Sequence, residues 1–387
     1  MTNVQKRSTI ELESSKVEIS KFEVTSGKGV TEYHVMIHAT HPEQTFQEQL
    51  DAVLNTYYNL LENELKGASS VIKRYFLSDA ANQYETLLAS VPEAPACACS
   101  VVEQAPLNGT KIALWAYLQT EIGAGTFSNG LYKVNHGNYT HLWGGSAISH
   151  APNSEEQTSL LLKDYVMQLL ANGGHLADNC VRTWFFVQNV DVNYAGVVKA
   201  RNEEFFTQNL TSKTHFISST GINGRNADPS VLVQLDTYAV LGIKPEQMTY
   251  LYAPTHLNPT YEYGVSFERG TRMDYGDRRQ VFISGTASID NKGNILFPGD
   301  IRRQTERMWE NVDALLKEGE CGFEDVGQMI VYLRDTADYA VVSKMFAERF
   351  PGIPTVIVHA PVCRPGWLIE MECMATKEMK NDAYAPF

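Results

Sequence analysis

Apolar and polar positions in the last third of the chain change period in a fixed order. Residues 279–288 (RQVFISGTAS) alternate and reach a glycine, which predicts a strand ended by a tight turn, with 295–297 pairing back as a hairpin. Over 300–317 the apolar residues Met308, Val312, Leu315 and Leu316 recur at helical spacing and Gly319 supplies a stop, so an amphipathic helix follows. Residues 326–333 (VGQMIVYL) read as a strand and 339–350 as a second helix ended by Pro351 and Gly352. Two strands, 355–359 and 366–375, close the unit, giving the order ββαβαββ.

The same order fits residues 140–242. HLWGGSA stands where VFISGTA stood, and a helix from Glu155 carries Leu162, Val166, Leu169 and Leu170, with Ser154 and Gln157 as a capping box. A strand at 181–190, a helix from Tyr194 to Phe206, the strand HFISS and the strand 231–240 complete the unit. A fainter copy runs over 31–119, with YHVMIHA, a helix from Glu43, VIKRYFLSD, a short helix and KIALWAYL. Gln44-Thr45, Gln157-Thr158 and Gln304-Thr305 open the three long helices, and Phe76-Leu77-Ser78-Asp79 parallels Tyr332-Leu333-Arg334-Asp335. A sheet with two helices covers only one sheet face, so three such units supply one another's missing partner. The expected architecture is α/β, a pseudo-threefold ring with the sheets facing inward. Its parts are an arm (1–30), module 1 (31–120), module 2 (121–242), a connector (243–279) and module 3 (280–387).

Composition narrows the function. The 387 residues are 43% hydrophobic and 10% aromatic, enough for sizeable cores. Lys and Arg (32) against Asp and Glu (45) leave a net charge of −13, which disfavours a nucleic-acid partner. The start of the chain lacks the apolar run of a signal peptide and no stretch suits a membrane span, so neither export nor a membrane partner is expected. Six cysteines are too few for a disulfide scaffold, which points to a reducing cytoplasm. Cys97-Ala98-Cys99 and His34, His38 and His41 lack the rest of a metal set, and Gly123-Ala124-Gly125 lacks the third glycine of a dinucleotide turn. Neither metal nor cofactor is expected.

The third unit, with its GTAS turn, VYLRDTADY, the Phe350-Pro351 break and LIEMECMA, resembles the RidA (YjgF, L-PSP) superfamily, over 280–376 most clearly. Members of that family are mostly homotrimers with clefts between subunits, so the resemblance implies an internal pseudotrimer here, working as a monomer or dimer. Cys363-Arg364-Pro365 followed by Glu370 is similar to the chorismatase branch. One departure matters: RidA deaminases carry an arginine, one residue and a cysteine on the strand before the last, and here that strand reads Thr355-Val356-Ile357-Val358-His359. The family's deaminase activity therefore does not carry over residue by residue.

Positions where the copies disagree mark the cleft kept for work. Alignment sets Glu370 opposite Gln234 and Leu114, so only module 3 has a titratable group there. Glu370 is either a proton donor raised by apolar walls or a solvated strand glutamate. Arg334 is a candidate carboxylate clamp or a surface partner of Asp335 or Asp338. Of the arginines in 267–279, Arg278 is the one expected to bind substrate; Arg269, Arg272 and Arg279 read as part of a solvated loop. Cys363 reads as a nucleophile or a packed thiol, with Arg364 beside it, and Gly285-Thr286-Ala287 as a source of free N–H groups for an anion. The expected function is binding of a small carboxylated metabolite and its cofactor-free hydrolysis, by enamine or imine deamination or by enol-ether cleavage. A non-catalytic sensor or scaffold is the alternative, and an L-PSP-type endoribonuclease is disfavoured by charge.

Overall fold

A third strand precedes the first helix in every unit of the structure, a computed structural model that describes residues 5–91, 97–123 and 125–387. Ala124 of the rejected glycine turn and the first four residues of the arm lie outside the described residues. Module 1 runs β1 (Lys6–Glu11), β2 (Ser15–Phe22), β3 (Glu32–Ala39), α1 (Phe46–Glu62), β4 (Ala68–Leu77), α2 (Ala80–Ser90), β5 (Ala98–Glu103) and β6 (Ile112–Thr120). Module 2 runs β7 (Thr126–Ser128), β8 (Leu131–His136), β9 (Tyr139–Ile148), α3 (Ser154–Ala171), the single turn α4 (Leu176–Asn179), β10 (Cys180–Val187), α5 (Val190–Thr207), β11 (Ser218–Asn223) and β12 (Val233–Leu241). Module 3 runs β13 (Met248–Leu251), β14 (Gly270–Asp274), β15 (Arg278–Ala287), α6 (Ile301–Glu318), β16 (Val326–Leu333), α7 (Tyr339–Arg349), β17 (Thr355–His359) and β18 (Ile369–Glu378).

The three six-stranded sheets share one strand order: β1-β2-β3-β6-β4-β5, β7-β8-β9-β12-β10-β11 and β13-β14-β15-β18-β16-β17. In each, a helical crossover makes one parallel pair, β4 with β5, β10 with β11 and β16 with β17. Three RidA-like modules in one chain are therefore present, each longer at its start than the pattern implied. The arm supplies β1 and β2, and the connector supplies β13 and β14. The expected hairpin with 295–297 reduces to one bridge between Ile289 and Ile295; the hairpin partner of β15 is β14, joined through Tyr275-Gly276-Asp277. The charge that made 267–279 look like loop is paired across these strands, as in Arg279 with Asp274 at 2.6 Å.

Buried glutamines repeat with the modules. Gln49, Gln157 and Gln304 each accept, through the amide oxygen, the backbone N–H at the entry to the next-to-central strand, from Lys111, Leu232 and Leu368. The counterpart of Gln157 and Gln304 in module 1 is thus Gln49, not Gln44. The cap of α3 is Asn153, whose side chain accepts from Glu156 N, while Gln157 is committed to Ala151 and Ser230.

Strand register corrects the alignment on the last strand of each module. Tyr332, Phe186 and Phe76 pair with Glu370, Gln234 and Ala113. The position of Glu370 in module 1 is therefore Ala113, not Leu114; a slip of one residue turns the side chain to the opposite sheet face, where Leu114 packs under the helices.

The inner faces of the three sheets merge into one core that holds Trp115, Trp143, Trp184, Tyr238, Phe282 and Tyr332. Within it lies one buried ion pair per module seam. Arg74 of module 1 meets Asp236 of module 2 at 2.8 Å, Arg182 of module 2 meets Glu372 of module 3 at 2.9 Å, and Arg278 of module 3 meets Glu32 of module 1 at 2.8 Å. No helix among the described residues is long and apolar enough to cross a membrane.

Removing one member of such a pair strands the other charge in the core, at about 3–5 kcal/mol. Asp236→Ala should lower the stability measured by urea unfolding by that amount, while Arg74→Met combined with Asp236→Leu should recover most of it. A loss under about 1 kcal/mol in the single variant would show that the seam does not depend on the pair.

Candidate functional site

Each seam sets the parallel strand and second helix of one module against the third strand of the next. Between modules 1 and 2 the seam is sealed. Ser146 Oγ accepts from Val101 N at 2.8 Å, and Gln234 Nε2 donates to Val101 O at 3.1 Å and to Ser146 Oγ at 3.2 Å. Gly145 lies so close to the backbone of Cys99 that an added Cβ would stand 2.5 Å from its carbonyl oxygen.

Between modules 2 and 3 the seam opens into a cavity of about 330 Å³. Here β15 carries a register shift against β18 between Ile283 and Thr286, at the position where β9 has its own; β3 of module 1 pairs with β6 without one. The bulge places Gly285 over Glu370, so closely that a Cβ on Gly285 would stand 2.2 Å from Glu370 Oε1. Ser146 occupies the matching bulge of module 2, and its side chain helps to close that seam.

Glu370 is buried and its carboxyl makes no hydrogen bond among the described residues. Burial, then the neighbouring Glu372, push its pKa up to about 8 against the opposing pull of Arg269 and Arg182. It is therefore a neutral acid at pH 7. Glu372, two residues on, is fully engaged: it accepts from Arg182 at 2.9 Å, from Trp184 Nε1 at 2.7 Å and from Thr220 Oγ1 at 2.5 Å. Thr220 Oγ1 also accepts from Gly285 N at 2.9 Å, which fixes the bulge.

Two buried arginines line the same cavity. Arg201 projects from α5, with Nε and one terminal nitrogen lacking a hydrogen-bond partner among the described residues. Arg269 donates to Asn258 O at 3.0 Å, and its Nε likewise lacks a partner among the described residues. The walls are aromatic: Phe267 lies 5.9 Å from Arg201 and 5.3 Å from Arg269, and Arg364 sits over the rings of Tyr263 (4.5 Å) and Trp367 (4.9 Å). An acid held protonated, two guanidinium groups with unused donors and a flat aromatic wall can together bind and protonate an unsaturated carboxylate.

Of the residues singled out in the sequence, Glu370, Cys363, Arg364, Gly285 and Ala287 line this cavity. Thr286 does not: its hydroxyl donates to Ser284 O on the other face of β15. The N–H of Gly285 is already taken by Thr220, so the turn does not offer it to an anion. Burial, then Glu370, push the Cys363 thiol up to about 12, which leaves it protonated and a poor nucleophile. Arg334 lies outside the cavity lining, paired with Asp191 at 2.7 Å and donating to Val362 O at 2.6 Å. Arg278 is sealed in the core between Glu32 and Asp277, so it closes a seam rather than binding substrate.

Arg201 and Arg269, together with Tyr194 and Tyr263, were passed over in the sequence. One signal for Arg201 was available: it sits four residues from Val197 and four from Phe205, on the buried face of its helix. Arg269 had no such signal, because nearby acids balance it on paper while β14 pairs them elsewhere.

The model of the endoribonuclease L-PSP family matches residues 273–377. RutC family proteins of Pyrococcus abyssi and Pyrococcus horikoshii are each 36% identical to this chain over 100 residues, which cover 25% of the chain and 79% of the relative. A crystal structure of a chorismatase superposes with a TM-score of 0.63 at 17% identity, over 79% of this chain and 93% of that one.

The buried acid should mark the pH dependence of folding. Because its folded pKa of about 8 exceeds its ordinary value of 4.5, the native state keeps a proton that the unfolded chain releases between these values. Stability should therefore fall with rising pH across that window, by up to about 1.4 kcal/mol per unit, and Glu370→Gln should remove this component. Urea unfolding of both proteins from about pH 5 to about pH 9 measures it; parallel curves would mean that Glu370 titrates normally.

Proposed function

This chain belongs to the RidA superfamily and has the three-module fold of a chorismatase, and we propose that it binds a small carboxylated metabolite between modules 2 and 3 and hydrolyses it without a cofactor. The observation that carries this reading is the placement of Glu370, an acid held neutral, in one cavity with Arg201 and Arg269.

The two arginines take the substrate carboxylate, replacing Arg334 and Arg278 in that role. Glu370 donates its proton to the terminal carbon of an enol ether or enamine whose other carbon bears the carboxylate. The carbon beside the carboxylate becomes an electrophilic oxocarbenium or iminium centre, and water adds to it. The Glu370 carboxylate takes back a proton from that water, so the acid is regenerated. The adduct then collapses to a 2-oxo acid, with its hydroxyl proton passing to the departing alcohol or amine. Each step needs one acid, one anion clamp and exclusion of bulk water, all of which this cavity supplies. The wall of Tyr263, Arg364 and Trp367 suits a flat, unsaturated body, which favours an enol ether such as chorismate over the smaller 2-aminoacrylate. Since the modules already supply one another's partners, the proposed working unit is one chain or a dimer of chains.

Pyruvate release from chorismate and ammonia release from 2-aminoacrylate test the reading. Glu370→Gln should retain binding but lower kcat by about 10²-fold or more. Arg201→Gln should raise KM by about ten- to a hundredfold, the scale of a lost charged hydrogen bond. Full turnover in Glu370→Gln, or no turnover of either substrate by the wild type, would overturn the assignment; binding without turnover would instead support a sensor.

A further inference from the structure

The fold builds the same cleft at its third seam, between modules 3 and 1, and leaves it open with a volume of about 460 Å³. Its walls correspond element for element to those of the candidate site: β17 and α7 stand in place of β11 and α5, and β3 in place of β15. The chemistry does not correspond, and the strand registers show how it differs.

The position of Glu370 is Ala113 in module 1, so the acid is gone. On the second helix, Tyr194 lines one cleft and Tyr339 the other, and seven residues after each stand Arg201 and Phe346. One cation of the anion clamp is thus replaced by an aromatic ring. The second replacement goes further. Arg269 lies opposite Ser284, in the stretch of β15 that faces Glu372, and Glu18 pairs with Met36, which faces Trp115 at the same position of the repeat. Where one cleft has an arginine, the other has a carboxylate.

Glu18 is positioned to remain one. Thr355 N donates to its Oε2 at 3.0 Å, His38 Nε2 lies 3.7 Å from the same oxygen, and Lys16 Nζ lies 2.7 Å from Oε1. Although burial opposes it, His38 and then Lys16 hold the Glu18 carboxyl down at about 2. The Lys16 ammonium shows that a cation fits against Oε1. Its side chain is about a third exposed, and such pairs are weak, so a ligand can displace it.

We infer that the cleft between modules 3 and 1 is a second ligand site of reversed charge, taking a small organic amine whose ammonium pairs with Glu18 and whose apolar body packs on Tyr339 and Phe346. Cation–π attraction to those rings adds to the ion pair. The inference does not depend on the reaction proposed for the other cleft.

Phenethylamine is the probe, with phenylacetate as its charge-reversed counterpart, followed by NMR titration of the full-length protein. Phenethylamine should bind with a Kd of about 1 mM or tighter and perturb the resonances of His38, Tyr339 and Thr355. Glu18→Gln should weaken binding about tenfold or more, while Lys16→Met, which removes the competing ammonium, should strengthen it by about two- to fivefold. Phe346→Leu keeps an apolar wall and should weaken binding several-fold, which guards against a Glu18 variant that fails to fold. No perturbation at these residues, unchanged affinity in Glu18→Gln, loss of binding in Lys16→Met, or phenylacetate binding as tightly would each overturn the inference.

Discussion

The structure depends on one buried ion pair at each module seam: Arg74 with Asp236, Arg182 with Glu372 and Arg278 with Glu32. A single module exposes an inner sheet face that carries large aromatic residues and a charge, and neither tolerates water exclusion alone. Closing the ring meets both demands together, because each aromatic face covers the next and each charge finds its counter-ion on a neighbouring module. The pairs contribute less to net stability than apolar replacements could, but they discriminate against rings assembled in another order. The three pairs differ in residue type and strand position, so module 1 cannot take the place of module 2 at any seam without leaving charges unpaired.

The same network reaches the candidate site. Glu372 closes the seam between modules 2 and 3 through Arg182 and, through Thr220, fixes the bulge that carries Gly285. Its unrelieved negative charge also acts on Glu370, so the seam that holds the ring closed helps to keep the neighbouring carboxyl protonated. Internal repetition then lets the three seams diverge. One is closed by Ser146 and Gln234, one keeps an acid and two arginines, and one exchanges those for alanine, phenylalanine and glutamate. In a homotrimer with identical subunits a substitution changes all three clefts; in one chain it changes one.

Much of the architecture was legible in the sequence. The apolar runs of β16 and β17 are bounded by turn residues and match their expected limits, and the helices α6 and α7 are nearly as close. The strands at the outer edge of each sheet were missed, because edge strands are polar and half exposed and lack the alternation of central ones. Glu370 was legible as an asymmetry among copies, and it does line the cavity. The arginines were not. Whether Arg278, Arg334, Arg269 or Arg201 faces a substrate depends on which carboxylates meet them across the fold, and those partners lie up to 246 residues away, as Glu32 does from Arg278.

The central claim is that this chain keeps one neutral carboxylic acid in the cleft between modules 2 and 3. Isotope-edited infrared spectroscopy of protein carrying carboxyl-labelled glutamate tests it directly at neutral pH. The account predicts a protonated-carboxyl C=O band in the wild type that disappears in Glu370→Gln and, in the wild type, fades as the pH is raised through about 8. A wild-type spectrum without that band, or a band unchanged in the variant, would contradict it.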